Sequence, residues 1–278
     1  MSKIAFVGGG NMASCLIGGM LAKGFSKDQI VVCEPSEQAR QRLEATHGIK
    51  TTEDNLSAVS SADILVLAVK PQVMEAVASA LAPALGHSPT VVSIAAGIPI
   101  AALQGWLAAD PNRPVNSPLN IVRAMPNTPA MVETGATGLF ADGDLQPSQK
   151  ATIESMFNAV GYVCWVESEA LIDTVTAVSG SGPAYFFLIF EAMQRVGCEM
   201  GLDADTALQL TLQTALGAAR LAKQSNSSPQ ELRRQVTSPG GTTQAAIESF
   251  QNQHLDQVFE AAMSQALERA QQMAAEFA

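Results

Sequence analysis

Hydrophobic positions in the first 165 residues gather into short dense runs separated by stretches of helical spacing. "KIAFVGGG" at 3–10 reads as a strand entering a turn, and "QIVVCEPS" at 29–36 as the next strand. "ADILVLAVKP" at 62–71 is apolar almost throughout, the pattern of a strand buried on both faces of a parallel sheet. "PTVVSIAAG", "NIVRAMPNTP" and "YVCWVE" supply three more strands. Between them "NMASCLIGGMLAKG", ending at Gly24, "SEQARQRLEATHG" and "PQVMEAVASALAPAL" read as helices. Strand and helix alternating through short connections predict an α/β fold with a doubly wound parallel sheet.

The texture changes near Ser168, where the strands stop. "SEALIDTVTAVSG", "PAYFFLIFEAMQRVGCEMG" and "DADTALQLTLQTALGAARLAKQS" read as successive helices. Asp203 and Asp205 are candidate N-caps for the third. Ser228, Pro229 and Glu231 fit the N-cap, first-turn proline and capping-box positions of a fourth, and two more helices follow Pro239. The expected division is residues 1–165 and an all-helical 166–278, joined by a helix near 160–170. One stretch breaks this pattern: "TAVSGSGPAYFF", where Ser179, Gly180, Ser181, Gly182 and Pro183 interrupt an apolar helical run.

Composition narrows the function classes. With 47% apolar and 15% charged residues the chain is globular, and 16 Lys and Arg against 26 Asp and Glu give a net charge of −10. That balance, without a basic run, argues against nucleic acid or an anionic membrane as partner. Any phosphate site must use main-chain N–H groups and one or two placed cations. Cys15, Cys33, Cys164 and Cys198 have no metal-ligand spacing, so no metal is expected, and they read as free core thiols. With no targeting segment or apolar run near the length of a membrane span, a cytoplasmic protein is expected.

"FVGGGNMA" supplies the first chemistry. Gly8, Gly10 and Ala13 match G-x-G-x-x-G/A directly after a strand and at a helix start, the Rossmann-type dinucleotide fingerprint. Glu34, 24 residues after Gly10, stands where an acid holds the ribose hydroxyls of NAD and repels a 2′-phosphate. It also fits an exposed capping acid, and Ser36 leaves room for a 2′-phosphate, so NADH and NADPH both stay open with a lean to NADH. Strand exits at Lys70 before Pro71, at Ala96 in "SIAAG" and at Asn127 and Thr128 in "RAMPNTP" lie at the ligand-binding ends of the strands. Lys70 reads equally as a solvated lysine, and Asn127 as a turn cap.

Together "VGGGNMA", "AVKPQ", "RAMPNTP", "SGSGPAY" and "TSPGGTT" resemble, in order and spacing over essentially the whole chain, the pyrroline-5-carboxylate reductases. These enzymes catalyse the last step of proline synthesis, reducing a cyclic imino acid with NAD(P)H. The resemblance implies a nucleotide-binding domain followed by a helical domain through which two chains interlock, in some members as a ring of dimers. It implies cofactor contacts at Val7, Gly8, Gly9, Gly10, Asn11, Met12, Glu34 and Asn55, with Ala68, Val69, Lys70 and Pro71 on the nicotinamide side. Glu34 departs from the small polar residue of NADPH-preferring members. The resemblance also makes Thr243 the candidate catalytic hydroxyl near the ring nitrogen, with Ser238 beside it.

The residues themselves fit imine reduction. Oxidising an alcohol needs a base, usually His or Lys. The chain has only His47, His87 and His254, and its helical half carries one lysine, Lys223. A cyclic imine protonates readily, so the protein has mainly to align ring and nicotinamide and hold the carboxylate. Pro239, Gly240 and Gly241 open a helix at Thr242 and Thr243, whose exposed N–H groups can bind a carboxylate without arginine; a plain helix start is the other reading. Ser179, Gly180, Ser181 and Gly182 are read as pocket floor near the nicotinamide, or as a packing kink. Two other functions stay open: a β-hydroxyacid dehydrogenase-type oxidoreductase and a non-catalytic nucleotide sensor.

Overall fold

Side chains alternate across a strand, and in β1 (Ile4–Val7) both faces are buried: Ile4 and Phe6 enter one apolar cluster, Ala5 and Val7 the other. Strand β4 (Ile64–Leu67) divides the same way. That is why these segments read as unbroken apolar runs. In the computed structural model, which describes residues 2–108 and 119–277, the chain forms two compact units. The first is Met1–Ser181 with Ala266–Ala278, the second Gly182–Gln265.

The remaining strands among the described residues of the first unit are β2 (Ile30–Cys33), β3 (Lys50–Thr52), β5 (Thr90–Ser93), β6 (Ile121–Met125), β7 (Gly135–Asp142) and β8 (Gly161–Trp165). They form one sheet in the order β3-β2-β1-β4-β5-β6-β7-β8. The first six strands are parallel, the doubly wound order in which ligands lie at the carboxyl ends. Helices α1 (Asn11–Ala22), α2 (Glu37–His47), α3 (Asn55–Val59), α4 (Pro71–Leu81), α5 (Ile100–Leu107) and α6 (Pro147–Asn158) connect them. Gly24 follows the end of α1 at φ 93°, in the left-handed region where a helix stops cheaply.

Two strands depart from the sequence expectation. β3 is three polar residues at the sheet edge, so no apolar run announces it. β7 runs antiparallel to β6 and parallel to β8. Residues 126–134 are too few for a crossover helix, so the chain can only return antiparallel. The composition of β7, Gly-Ala-Thr-Gly, hides a strand whose small residues serve packing.

Helix α7 (Ala170–Val175) leads into a π-helical turn at Thr176–Gly180, and α8 (Gly182–Glu199) follows. The expected helix break is therefore a turn widened by one residue, in which Ser181 N–H donates to the Thr176 carbonyl at 2.8 Å. The second unit continues with α9 (Ala204–Gln224), α10 (Pro229–Gln235), α11 (Thr242–Asn252) and the start of α12 (Leu255–Ala275). Asp203, not Asp205, caps α9, accepting from Thr206 N at 3.0 Å. Ser228 caps α10, but the Glu231 carboxylate turns to Arg234 at 2.6 and 2.8 Å instead of completing a box.

The C-terminal end of α12 belongs to the first unit. A Cβ on Gly97 would stand 2.8 Å from Met273 Cβ, and Phe277 packs edge-on against Trp106 at 5.9 Å. Of the four free cysteines Cys33 is buried, which pushes its thiol up to about 12. Cys15, Cys164 and Cys198 are only partly buried, so the core placement expected for all four holds for one. No helix among the described residues is long and apolar enough to cross a membrane.

Buried charge ties α7 to the sheet. Arg123 on β6 is 3% exposed and donates to Glu169 at 2.9 Å, while Asp173 lies 3.6 Å away. Glu169 also accepts from Ile100 N at 2.7 Å, fixing the start of α5. Burial pushes the Asp173 carboxyl above its ordinary value, with Arg123 pulling it down and Glu169 pushing it up. The folded protein thus holds this proton more tightly than the unfolded chain, a contribution present at low pH and lost as pH rises through the folded-state value. Wild type should therefore gain stability over Asp173→Asn as pH falls from about 7 to about 4, the ordinary carboxylate range. Urea unfolding at both pH values checks it, and an unchanged gap contradicts it.

Candidate active site

The dinucleotide fingerprint becomes a closed turn. Gly8 has φ 102°, and a Cβ there would stand 2.6 Å from the Ala68 carbonyl oxygen, so the end of β1 passes against the exit of β4 with no room for a side chain. Val7 ends β1, Gly10 is the exposed N-cap of α1 with open space around it, and Asn11 and Met12 begin the helix. No side chain caps α1. Its first N–H groups and the positive end of its dipole therefore face the turn, a site that fits a pyrophosphate.

Glu34 closes the loop from the other side. Its carboxylate accepts from Gly9 N at 2.9 Å and from Ser36 N at 3.0 Å, so it is fixed between the β1–α1 and β2–α2 turns. Ser36, and not Glu34, caps α2 through Ala39 N. Arg40 is committed elsewhere: its Nη1 donates to the Glu34 and Pro35 carbonyls at 2.8 and 3.0 Å, and its Nη2 lies 3.6 Å from Glu53. Arg40 thus stands on the β2 exit, six residues after Glu34, with its guanidinium on main-chain oxygens.

Asn55 begins α3, whose cap is Asp54. Ala68 and Val69 are half-buried at the β4 exit, Lys70 is the exposed N-cap of α4, and Pro71 opens that helix. Ala96 is half-buried in the turn after β5. These residues and the fingerprint all lie at the carboxyl ends of β1, β2, β3, β4 and β5, within one unit.

Asn127 has its two polar atoms engaged. Oδ1 accepts from Ala136 N at 2.8 Å, and Nδ2 donates to the Ser179 carbonyl at 2.9 Å. The Ser179 hydroxyl donates back to Val175 O at 3.0 Å. Gly180 lies against β6: a Cβ would stand 2.5 Å from Met125 Cε. Ser181 is half-buried, and Gly182, which begins α8, is buried, although a Cβ there would meet no atom within 4 Å. "PNTP" and "SGSG", distant in sequence, thus meet through Asn127 and Ser179.

In the second unit Ser238 and Pro239 are exposed, and Gly240 turns at φ 71°. Gly241 N–H donates to Ser238 O at 3.0 Å and is the N-cap of α11, with Thr242 and Thr243 exposed in its first turn. Gly240 N–H is taken by Gln244 Oε1 at 2.6 Å, so the donors left for a ligand start at Thr242. No side chain caps this helix either.

A groove of about 470 Å³ beside α1, not anticipated from the sequence, is lined among others by Asn11, Ser14, Cys15, Arg42, His47 and Glu133. Ser14 Oγ lies 2.8 Å from His47 Nε2, and burial lowers the His47 pKa. Among the described residues no group of three or more His, Cys, Asp or Glu side chains could hold a metal ion.

Comparison with known proteins matches both halves of this arrangement. Residues 169–273 match the family model described as pyrroline-5-carboxylate reductase dimerisation, and residues 3–97 match NADP oxidoreductase, coenzyme F420-dependent. A pyrroline-5-carboxylate reductase of Pseudomonas aeruginosa is 50% identical, covering 99% of this chain and 97% of its own. One of Methanosarcina acetivorans is 36% identical over 98% and 97%. Among solved structures, a reductase of Coxiella burnetii superposes with TM-score 0.91 at 42% identity, covering 98% of each chain. That of Plasmodium falciparum, with NADP bound, reaches 0.83 at 27% over the same shares. The chain belongs to the pyrroline-5-carboxylate reductase family.

Proposed function

We propose that the protein reduces 1-pyrroline-5-carboxylate to proline with a reduced nicotinamide cofactor, which supplies the hydride. The observation that carries this reading is the uncapped start of α1 over the closed Gly8 turn, in a chain whose relatives are reductases of this imine. The pyrophosphate is assigned to Val7, Gly8, Gly9, Gly10, Asn11 and Met12, and the remaining cofactor contacts to Glu34, Asn55, Ala68, Val69, Lys70, Pro71 and Ala96; Asn127, expected from the sequence beside them, has both polar atoms of its amide bonded within the protein. In this division residues 1–165 bind the nucleotide, and residues 166–278 serve substrate and dimer.

The substrate carboxylate is assigned to the Gly240–Gly241–Thr242 turn, with Thr242 as its first main-chain donor because the Gly240 and Gly241 N–H groups are bonded to Gln244 and Ser238, and with Ser179, Gly180, Ser181 and Gly182 as pocket floor. The Thr243 hydroxyl, beside Ser238, is placed at the ring nitrogen. A protonated cyclic imine needs alignment more than it needs a base, which agrees with a single lysine in the helical half. A hydroxyacid dehydrogenase lacks its base here, and a silent sensor is not favoured by relatives that are all named reductases.

Glu34 tilts the cofactor choice to NADH. A 2′-phosphate beside a carboxylate already held by Gly9 and Ser36 meets like charge, and Arg40 is spent on carbonyls. Phe186, Phe187 and Leu188 stay exposed on α8 of the single chain, between 58 and 67%, which supports a homodimer through the helical unit. A ring of dimers is the larger assembly proposed, and the cytoplasm the compartment.

Loss of NADH and NADPH absorbance, followed with and without the cyclic imine, tests the reading: oxidation should require the imine. Glu34→Ser should move the NADPH to NADH ratio of kcat/KM up by about tenfold or more. An unchanged ratio would show that Glu34 does not face the ribose. Thr243→Ala should lower kcat about 10- to 100-fold while leaving the NADH Kd within about twofold. Equal losses in both, or none, remove Thr243 from the chemistry.

A further inference from the structure

We propose that Asn127 is a positioning residue that acts on the substrate segment through the Ser179 carbonyl, and not a direct cofactor contact. The inference rests on the assignment of Ser179–Gly182 to the substrate pocket and deepens it.

The argument starts from Pro183. In an α-helix the carbonyl of residue 179 pairs with the N–H of residue 183, and proline has none. The preceding π-helical turn has already shifted the pairing, Ser181 N–H reaching five residues back to Thr176. The Ser179 carbonyl is therefore released from the helix ladder in a part-buried position, where an unpaired acceptor is costly. Asn127 Nδ2 takes it at 2.9 Å.

The other end of the same amide is anchored. Asn127 Oδ1 accepts from Ala136 N at 2.8 Å, inside β7, so its orientation is set by the sheet and not by the turn. At neutral pH a side-chain amide donates at one atom and accepts at the other, which an ionised carboxylate of the same size does not. Pro126 and Pro129 stiffen the loop that carries it. Two residues later than β6 Met125, whose methyl lies under Gly180, Asn127 grips the turn by hydrogen bond where Met125 grips it by contact.

Apolar packing adds to this hold, with Ala177 buried and Met125 against Gly180. The hydroxyls of Thr176 and Ser179 bond back to Ile172 and Val175 within the same helical segment. π-helical turns are less favourable than α-helix and persist where surrounding contacts over-determine them. Here the contact is a bond from a strand exit at the carboxyl end of the sheet. Asn127 thereby sets where Ser181 and Gly182 stand, and it does so without touching a ligand.

Asn127→Asp tests this. The new carboxylate keeps an acceptor for Ala136 N but turns an oxygen toward the Ser179 carbonyl in place of a donor. At pH about 8 imine kcat/KM should fall about 10- to 100-fold, while the NADH Kd, read by fluorescence without substrate, stays within about twofold. As pH falls to about 5.5 the deficit relative to wild type should shrink, because a protonated carboxyl can again donate to Ser179. Hydrogen exchange at Ser181 N–H should quicken. Pro183→Ala, which restores a competing N–H and suits a helix, is the second variant. It should show the same split between imine kinetics and NADH affinity, in smaller measure.

Unchanged exchange at Ser181 in Asn127→Asp overturns the proposal by showing that Asn127 does not hold the turn. Faster exchange with unchanged imine kinetics also overturns it, and in that case the fault lies in assigning Ser179–Gly182 to the pocket. A rise in NADH Kd as the main effect returns Asn127 to direct cofactor contact. A pH-independent deficit, or no split in Pro183→Ala, shows a general structural role.

Discussion

A chain with a net charge of −10 that takes up a dinucleotide must find its positive potential in the backbone, and this requirement governs where its helices begin. Several helix starts here are closed by side chains: Ser36 on α2, Asp54 on α3, Asp203 on α9 and Ser228 on α10. Glu169 takes the first N–H of α5. The starts of α1, α4 and α11 carry no cap, and they follow "GGG", "VK" and "PGG". An uncapped start loses about 1 kcal/mol against a capped one. Under the proposed function that loss is recovered when an anion binds.

The same economy shapes the local electrostatics. Glu34 is an acid placed beside a turn meant for phosphate, and it is tolerable there because two main-chain donors hold it and Arg40 binds the carbonyls around it. The carboxylate therefore acts as a fixed wall of negative charge at one edge of the loop, while the N-terminus of α1 stays positive. Under the proposed function, discrimination between cofactors comes from repulsion as much as from attraction.

The parts of this design differ in how plainly the sequence shows them. Doubly buried strands announce themselves because both faces demand apolar residues, so β1, β2, β4 and β5 stand out as runs. Gly8 is legible because only glycine fits beside the Ala68 carbonyl. β7 is hidden because its glycines make room for α7: a Cβ on Gly138 would stand 2.6 Å from Val175. The π-helical turn reads as a break, since glycine and proline mark an interruption of α spacing without saying whether the chain leaves the helix or widens it. Spacing found Glu34, yet its bond to Gly9 depends on the depth of the turn. Asn127 was visible as a strand-exit polar residue, but its partner Ser179 lies 52 positions away, and no local pattern connects them.

The return of the last turns of α12 to the first unit bears on how the protein is made. Phe277 joins the same apolar cluster as Val7, Leu65 and Leu103, and Met273 fills the space that Gly97 leaves open. The nucleotide-binding body is thus interrupted by the helical unit and finished only by residues near the end of the chain. During synthesis its strands emerge before the turns of α12 that cover one of its apolar surfaces. Until those turns arrive, the nascent first unit leaves open part of the apolar cluster that Phe277 joins.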